Sequence, residues 1–131
     1  KQALGHAVKV VGVVSAHATT YADSMAAGCV VEAPVSTTLA DGMAVRRADP
    51  QALAILQAGL DRVVQVNDAQ VAQAMRDLYT DTHNLAEGAG AASFAAAWAD
   101  KDQLKGLQVG TTLCGGNVDT DIFCSVLNKH F

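Results

Sequence analysis

Three short segments concentrate the residues that could do chemistry. They are Leu39-Ala40-Asp41-Gly42-Met43-Ala44-Val45, Leu85-Ala86-Glu87-Gly88-Ala89-Gly90-Ala91-Ala92 and Leu113-Cys114-Gly115-Gly116-Asn117-Val118-Asp119. Only two of the acidic residues are glutamates, and Glu87 stands between an apolar pair and a Gly-Ala-Gly-Ala helix start. A carboxylate there is half-buried. It either stabilises the helix dipole from the first turn or points into a cleft, where Gly88 and Gly90 would let a ligand or another backbone come close. Cys114 follows a strand-like run and precedes a helix, the place where open α/β sheets bind ligands. Its thiol can serve as nucleophile, as hydrogen-bond donor or simply as a buried apolar group. Asp41-Gly42 taken alone is a turn pair.

Other chemistries lack support. His6, His17, His83 and His130 are scattered, none lies near Cys114 in sequence, and each reads as a surface or satisfied histidine. Cys29, Cys114 and Cys124 form no C-x-x-C, so zinc-ribbon and thioredoxin-like sites are excluded. Neither G-x-x-x-x-G-K-[ST] nor G-x-G-x-x-G occurs.

The elements that must position these segments follow from hydrophobic pattern and punctuation. Val8 to Val14 is a β-branched run and predicts a strand buried on both faces. Thr19 to Ala27 predicts a helix ending at Gly28. Ala33 to Arg47 is irregular but carries Leu39, Met43 and Val45, so it should lie against the body of the protein. Asp49 and Pro50 open a helix whose buried face is Leu53, Ile55, Leu56 and Leu60. Arg62 to Val66 predicts a second strand. Asn67 with Gln70 forms a capping box for a helix with the stripe Val71, Met75, Leu78 and Tyr79. Ala89 to Ala99 predicts a helix buried all round or at a subunit contact. Gln108 to Leu113 predicts a third strand, Cys114 to Asn117 a tight turn, and Asp119 to Leu127 a last helix.

This order predicts one α/β domain over residues 1–131: a small three-layer parallel sheet with flanking helices. Composition agrees, since the chain is rich in alanine and valine and only 5% aromatic. Half of the 131 residues are hydrophobic and 17% are charged, enough for a core and unlike a disordered chain. The net charge of -4 argues against nucleic acid as a partner, and no apolar run is long enough to span a membrane. Lys1 to His6 shows no apolar leader and no initiator Met. Few, unpatterned cysteines point to a reducing cytoplasm.

Taken together and in order, these segments resemble the C-terminal part of the catalytic domain of threonine dehydratases (threonine/serine ammonia-lyases). Those are fold-type II pyridoxal-phosphate enzymes related to serine racemase. The resemblance runs from Val8 to about Asp119 through Leu39 to Arg47, Asp61 to Val66, Leu85 to Ala92 and Leu113 to Asp119. The last string is close to the family's L-S-G-G-N-[IV]-D. The resemblance implies that Cys114 stands where the family has Ser or Cys, hydrogen-bonding the pyridine nitrogen of the cofactor. A neutral donor leaves the ring unprotonated and favours β-elimination over transamination; a thiol is a weaker donor than a hydroxyl. It also implies that Glu87, Gly42 and Gly115 line the cofactor pocket. The parent reaction would be deamination of L-threonine or L-serine to a 2-oxo acid and ammonia.

The chain departs from that family where the cofactor is gripped. The family binds pyridoxal phosphate as a Schiff base to a lysine in an S-x-K-type segment. Lys1, Lys9, Lys101, Lys105 and Lys129 have no such setting, and no glycine-rich phosphate loop precedes Val8. Related enzymes carry a metal-binding Glu after the first strand; Ser15-Ala16-His17 stands here, so no metal site is expected. The regulatory C-terminal domain of biosynthetic relatives is not expected either. The expectation is therefore a wall without an anchor: no catalytic residue of its own, no covalently held cofactor, and a missing N-terminal half or self-association as partner. The alternative is a free-standing module, descended from such an enzyme, that binds a small anion or pairs with itself.

Overall fold

The computed structural model describes Ala3 and residues 7–131. The reading of Lys1 to His6 as lacking an apolar leader lies outside the described residues, apart from Ala3.

Two parallel strands form the centre. β1 (Val11–Ser15) pairs with β2 (Arg62–Val66) in the register Val11 with Arg62 through Ser15 with Val66. Parallel strands need a long crossover, and α1 (Thr20–Ala27), the irregular segment and α2 (Pro50–Gly59) provide it. Alternation divides the strands between two faces. Val13, Val64 and Val66 join the core built on α3 (Asp68–Thr82) and α4 (Gly88–Ala99). Gly12, Val14 and Val63 turn toward Tyr21 and Met25 of α1 and Leu56 of α2. The result is three layers around a small parallel sheet.

Local signals set most helix ends. Gly28 closes α1 in the left-handed region at φ 73°. Asp49 accepts from the Ala52 amide at 2.8 Å, and Pro50 opens α2. Asn67 and Gln70 exchange side chain-to-backbone hydrogen bonds of 2.9 Å at the start of α3. Met75 and Val71 of that helix are fully buried, and burying such a side chain contributes about 1.5–3 kcal/mol. α5 (Thr120–Leu127) packs Phe123 edge-on against Tyr79, with ring centroids 5.3 Å apart.

The structure corrects several expectations. The first strand starts at Val11 rather than Val8; Val10 instead bonds through its backbone to Asp61. Ile55 is 72% exposed, because it sits two residues from Leu53 and so faces away from the stripe of Leu53, Leu56 and Leu60. α4 is not buried all round: Trp98 is exposed and lies under the Lys101 ammonium, 4.6 Å from the ring centroid. The third strand does not form. Gln108 to Leu113 has no ladder partner among the described residues and is exposed throughout. A strand exists only when a neighbour takes its backbone hydrogen bonds. This stretch has strand-forming residues without such a neighbour.

The irregular segment does lie against the body. Leu39 and Ala40 are buried, and the base is closed where Glu32 bridges Arg47 by backbone pairing and by a 2.7 Å ion pair. No helix among the described residues is long and apolar enough to cross a membrane.

Candidate functional site

The three segments converge on the N-terminus of α4. Two of its glycines make the approach possible. A Cβ on Gly88 would collide with the Leu39 carbonyl, and one on Gly90 with the Cys114 carbonyl. The loop around Gly42 and the turn around Gly115 therefore close on the same helix end from two sides. Between them lies Glu87, the N-cap residue of α4. A Cβ on Gly42 would stand 3.0 Å from Ala89 Cβ and 3.7 Å from Glu87 Oε1. The Glu87 amide donates to the Gly115 carbonyl at 3.1 Å, and the Asn117 amide donates to Glu87 Oε2 at 3.1 Å. Gly115 takes φ 72°, a conformation that favours glycine.

Glu87, Gly42 and Gly115 are thus neighbours, with Cys114 the next residue along the turn. Cys114 is exposed and its thiol is free, so it is not the buried apolar residue that its type alone allowed. Glu87 is half-buried, as its sequence setting required, but its side chain makes no cap on its own helix.

A second anchor had no local signal in the sequence. Asp68 opens α3 and accepts from the Thr37 hydroxyl at 2.9 Å, the Thr38 amide at 3.0 Å and the Thr38 hydroxyl at 3.1 Å. Burial pushes this carboxyl up, but the Thr38 amide and the Thr37 and Thr38 hydroxyls, with the charge of His17, outweigh it and hold it below the ordinary value. Asp68 fixes the start of the segment that carries Gly42 to the site. Only the preceding Ser36-Thr37-Thr38 cluster hinted at it, and that cluster reads equally well as a plain turn.

Among the described residues no lysine is hydrogen-bonded or packed at the site; Lys9, Lys101, Lys105 and Lys129 are all exposed. His17, His83 and His130 are exposed on separate connections. Among the described residues no group of three or more His, Cys, Asp or Glu could hold a metal ion. Two shallow clefts, of about 110 and 160 Å³, lie elsewhere. One is between α3 and α4 beside Trp98, the other between the sheet and α1–α2.

The chain that carries this helix start and thiol turn is similar to known proteins over most of its length. The family model described as pyridoxal-phosphate dependent enzyme matches residues 1–115. The chain belongs to the pyridoxal-phosphate dependent enzyme family. Among curated members, it is 32% identical over 122 residues to L-threonine ammonia-lyase of Thermotoga maritima, covering 93% of this chain and 30% of that protein. It is 35% identical over 123 residues to the Geobacter sulfurreducens enzyme of the same name, again 93% and 30%. Among solved structures, the processed threonine deaminase isoform 2 of Solanum lycopersicum superimposes with a TM-score of 0.88 at 25% identity, over 98% of this chain and 36% of that one. Maize serine racemase gives 0.82 at 25% identity, over 99% and 42%. The fold is that of these pyridoxal-phosphate enzymes. The chain spans about a third of the length of the relatives it matches.

The residues present fit one side of such a cofactor and not its anchor. An exposed thiol, a close-packed helix start and two glycines lie together there. The amine that would grip an aldehyde is not among them.

Proposed function

We propose that this chain is the ring-facing wall of a pyridoxal-phosphate ammonia-lyase core. It would be a single domain equivalent to the C-terminal half of a threonine dehydratase catalytic domain, with L-threonine or L-serine as substrate of the whole. The observation that carries this is the gathering of Gly42, Glu87 and the Cys114–Asn117 turn at the start of α4, with no lysine among the described residues there. When bound, pyridoxal phosphate would supply an electron-withdrawing ring that takes up the electron pair left by the α-proton and returns it as the β-hydroxyl departs. In this reading the Cys114 thiol donates to the ring nitrogen, Gly42 packs near the ring, and Glu87 and Gly115 close the pocket wall. The chain alone is not catalytic. The lysine and the glycine-rich phosphate loop belong to a missing N-terminal half, on the same polypeptide or on a partner. Three free, exposed thiols support a reducing compartment, and we assign the chain to the cytoplasm.

The test mixes the purified chain with pyridoxal phosphate, reduces with borohydride and maps the peptides by mass. The reading expects no stoichiometric adduct on any lysine and no 2-oxo acid from L-threonine or L-serine. It expects both ammonia and 2-oxo acid once an N-terminal threonine dehydratase polypeptide is added. Turnover by this chain alone, with the cofactor fixed to one of its own lysines, would refute it.

A second reading, a self-associating module, is favoured by the exposed Trp98, Leu107, Val109 and Leu113. Sedimentation across a concentration series decides it: a monomer throughout removes this reading.

A further inference from the structure

Glu87 occupies an N-cap position but does not cap. Helix N-caps are served by Ser, Thr, Asp or Asn, whose short side chains reach back to the second or third amide. Glutamate is one methylene too long for that, and Glu87 makes no such bond. Its carboxylate instead crosses to the turn that follows Cys114 and takes the Asn117 amide at 3.1 Å. The same residue's amide holds the Gly115 carbonyl at 3.1 Å. Main chain and side chain of one residue therefore grip both ends of Gly115-Gly116-Asn117. Gly115 makes room for the carboxylate: a Cβ there would fall 2.5 Å from Glu87 Cδ.

We infer that Glu87 is the positioning residue of the Cys114 turn, a bracket that fixes where the thiol points through its bonds to Gly115 and Asn117. On its Leu113 side the turn has no strand partner among the described residues and is held by the Ser93 hydroxyl, which donates to the Thr112 carbonyl at 2.6 Å; the bracket orients Cys114 from its C-terminal side. A carboxylate in this role is defined by the acceptor it offers rather than by its charge. That separates it from a dipole-stabilising acid, which acts through charge alone. The consequence for a pyridine ring rests on the cofactor reading above; the bracket itself does not.

The test follows alkylation of the three cysteines by iodoacetamide and mass spectrometry, with no cofactor present and with exposed Cys29 and Cys124 as internal references. Glu87→Ala removes the acceptor and should raise the Cys114 rate at least about fivefold relative to those two. Glu87→Gln keeps an acceptor oxygen and removes the charge, and should stay within about twofold of the wild type. Equal rates in Glu87→Ala and wild type would overturn the inference. So would a Glu87→Gln protein as reactive as Glu87→Ala, since charge would then be the cause. If Glu87→Ala does not fold, amide hydrogen exchange on the wild-type chain decides. The Asn117 amide should exchange more slowly than those of Val109, Thr111 and Leu113, and equally fast exchange would refute the bracket. A positive bracket with no cofactor capture by the completed enzyme would leave this inference standing and remove the cofactor reading alone.

Discussion

Gly90 and Cys114 meet back to back: the α-carbon of the one faces the carbonyl of the other so closely that no side chain fits between them. This contact decides the sign of a substitution. Alanine normally stabilises a helix relative to glycine by about 0.8–1 kcal/mol. At Gly90 the added methyl would strike backbone, which cannot rotate away. Gly90→Ala is expected to destabilise by about 1–3 kcal/mol by overpacking. At Gly59, in the last turn of α2, an added Cβ meets nothing within 4 Å. Gly59→Ala is expected to stabilise by about 0.5–1 kcal/mol. Urea unfolding of the two variants should show opposite shifts in midpoint.

Asp68 predicts acid behaviour. Its folded pKa lies below its ordinary value. A group depressed on folding contributes stability that is fully present above its unfolded pKa, about 3.9, and is lost as pH falls through the lower folded value. Thermal unfolding should therefore show a loss of stability below about pH 4 that is smaller in Asp68→Asn. Asp68→Ala, which removes the carboxylate that accepts from Thr37 and Thr38, is expected to cost about 1–2 kcal/mol at neutral pH.

Asn67→Ala removes half of the capping box at α3. A loss of about 1 kcal/mol is expected, read as a lower urea midpoint with an unchanged slope.

Met75 is fully buried in the centre of the core. Met75→Ala is expected to cost about 2–5 kcal/mol. Met75→Leu, which keeps the volume, should cost less than about 1.5 kcal/mol by the same measurement.

What could be read in the sequence was what neighbouring residues settle among themselves. Asn67 with Gln70, Asp49 with Pro50, and Gly28 after α1 each involve partners within a turn, and each formed as expected. Ile55 faces solvent although its type suits a core, because hydrophobicity alone does not say which side of a helix faces in; the Leu53, Leu56 and Leu60 stripe claims that face. The predicted strand at Gln108 to Leu113 failed for a different reason. Its residues suit a strand, but a ladder needs a second strand, and none among the described residues supplies it. In the site, the glycines and Glu87 stood out by type and setting. That Glu87 reaches Asn117, and Asp68 reaches Thr37 and Thr38, could not be seen, because those partners lie about 30 residues away.

The open run from Gln108 to Leu113 also sets how this polypeptide meets an endoprotease. Such enzymes take up substrates as extended, accessible backbone, and exposed segments without ladder bonds are cut first. A nick there would sever the Cys114 turn and α5 from everything before them. The two halves would stay clasped through Glu87, through the Tyr79 and Phe123 rings, and through the Arg76 guanidinium on the Val126 carbonyl. Limited digestion should thus leave two fragments travelling as one particle.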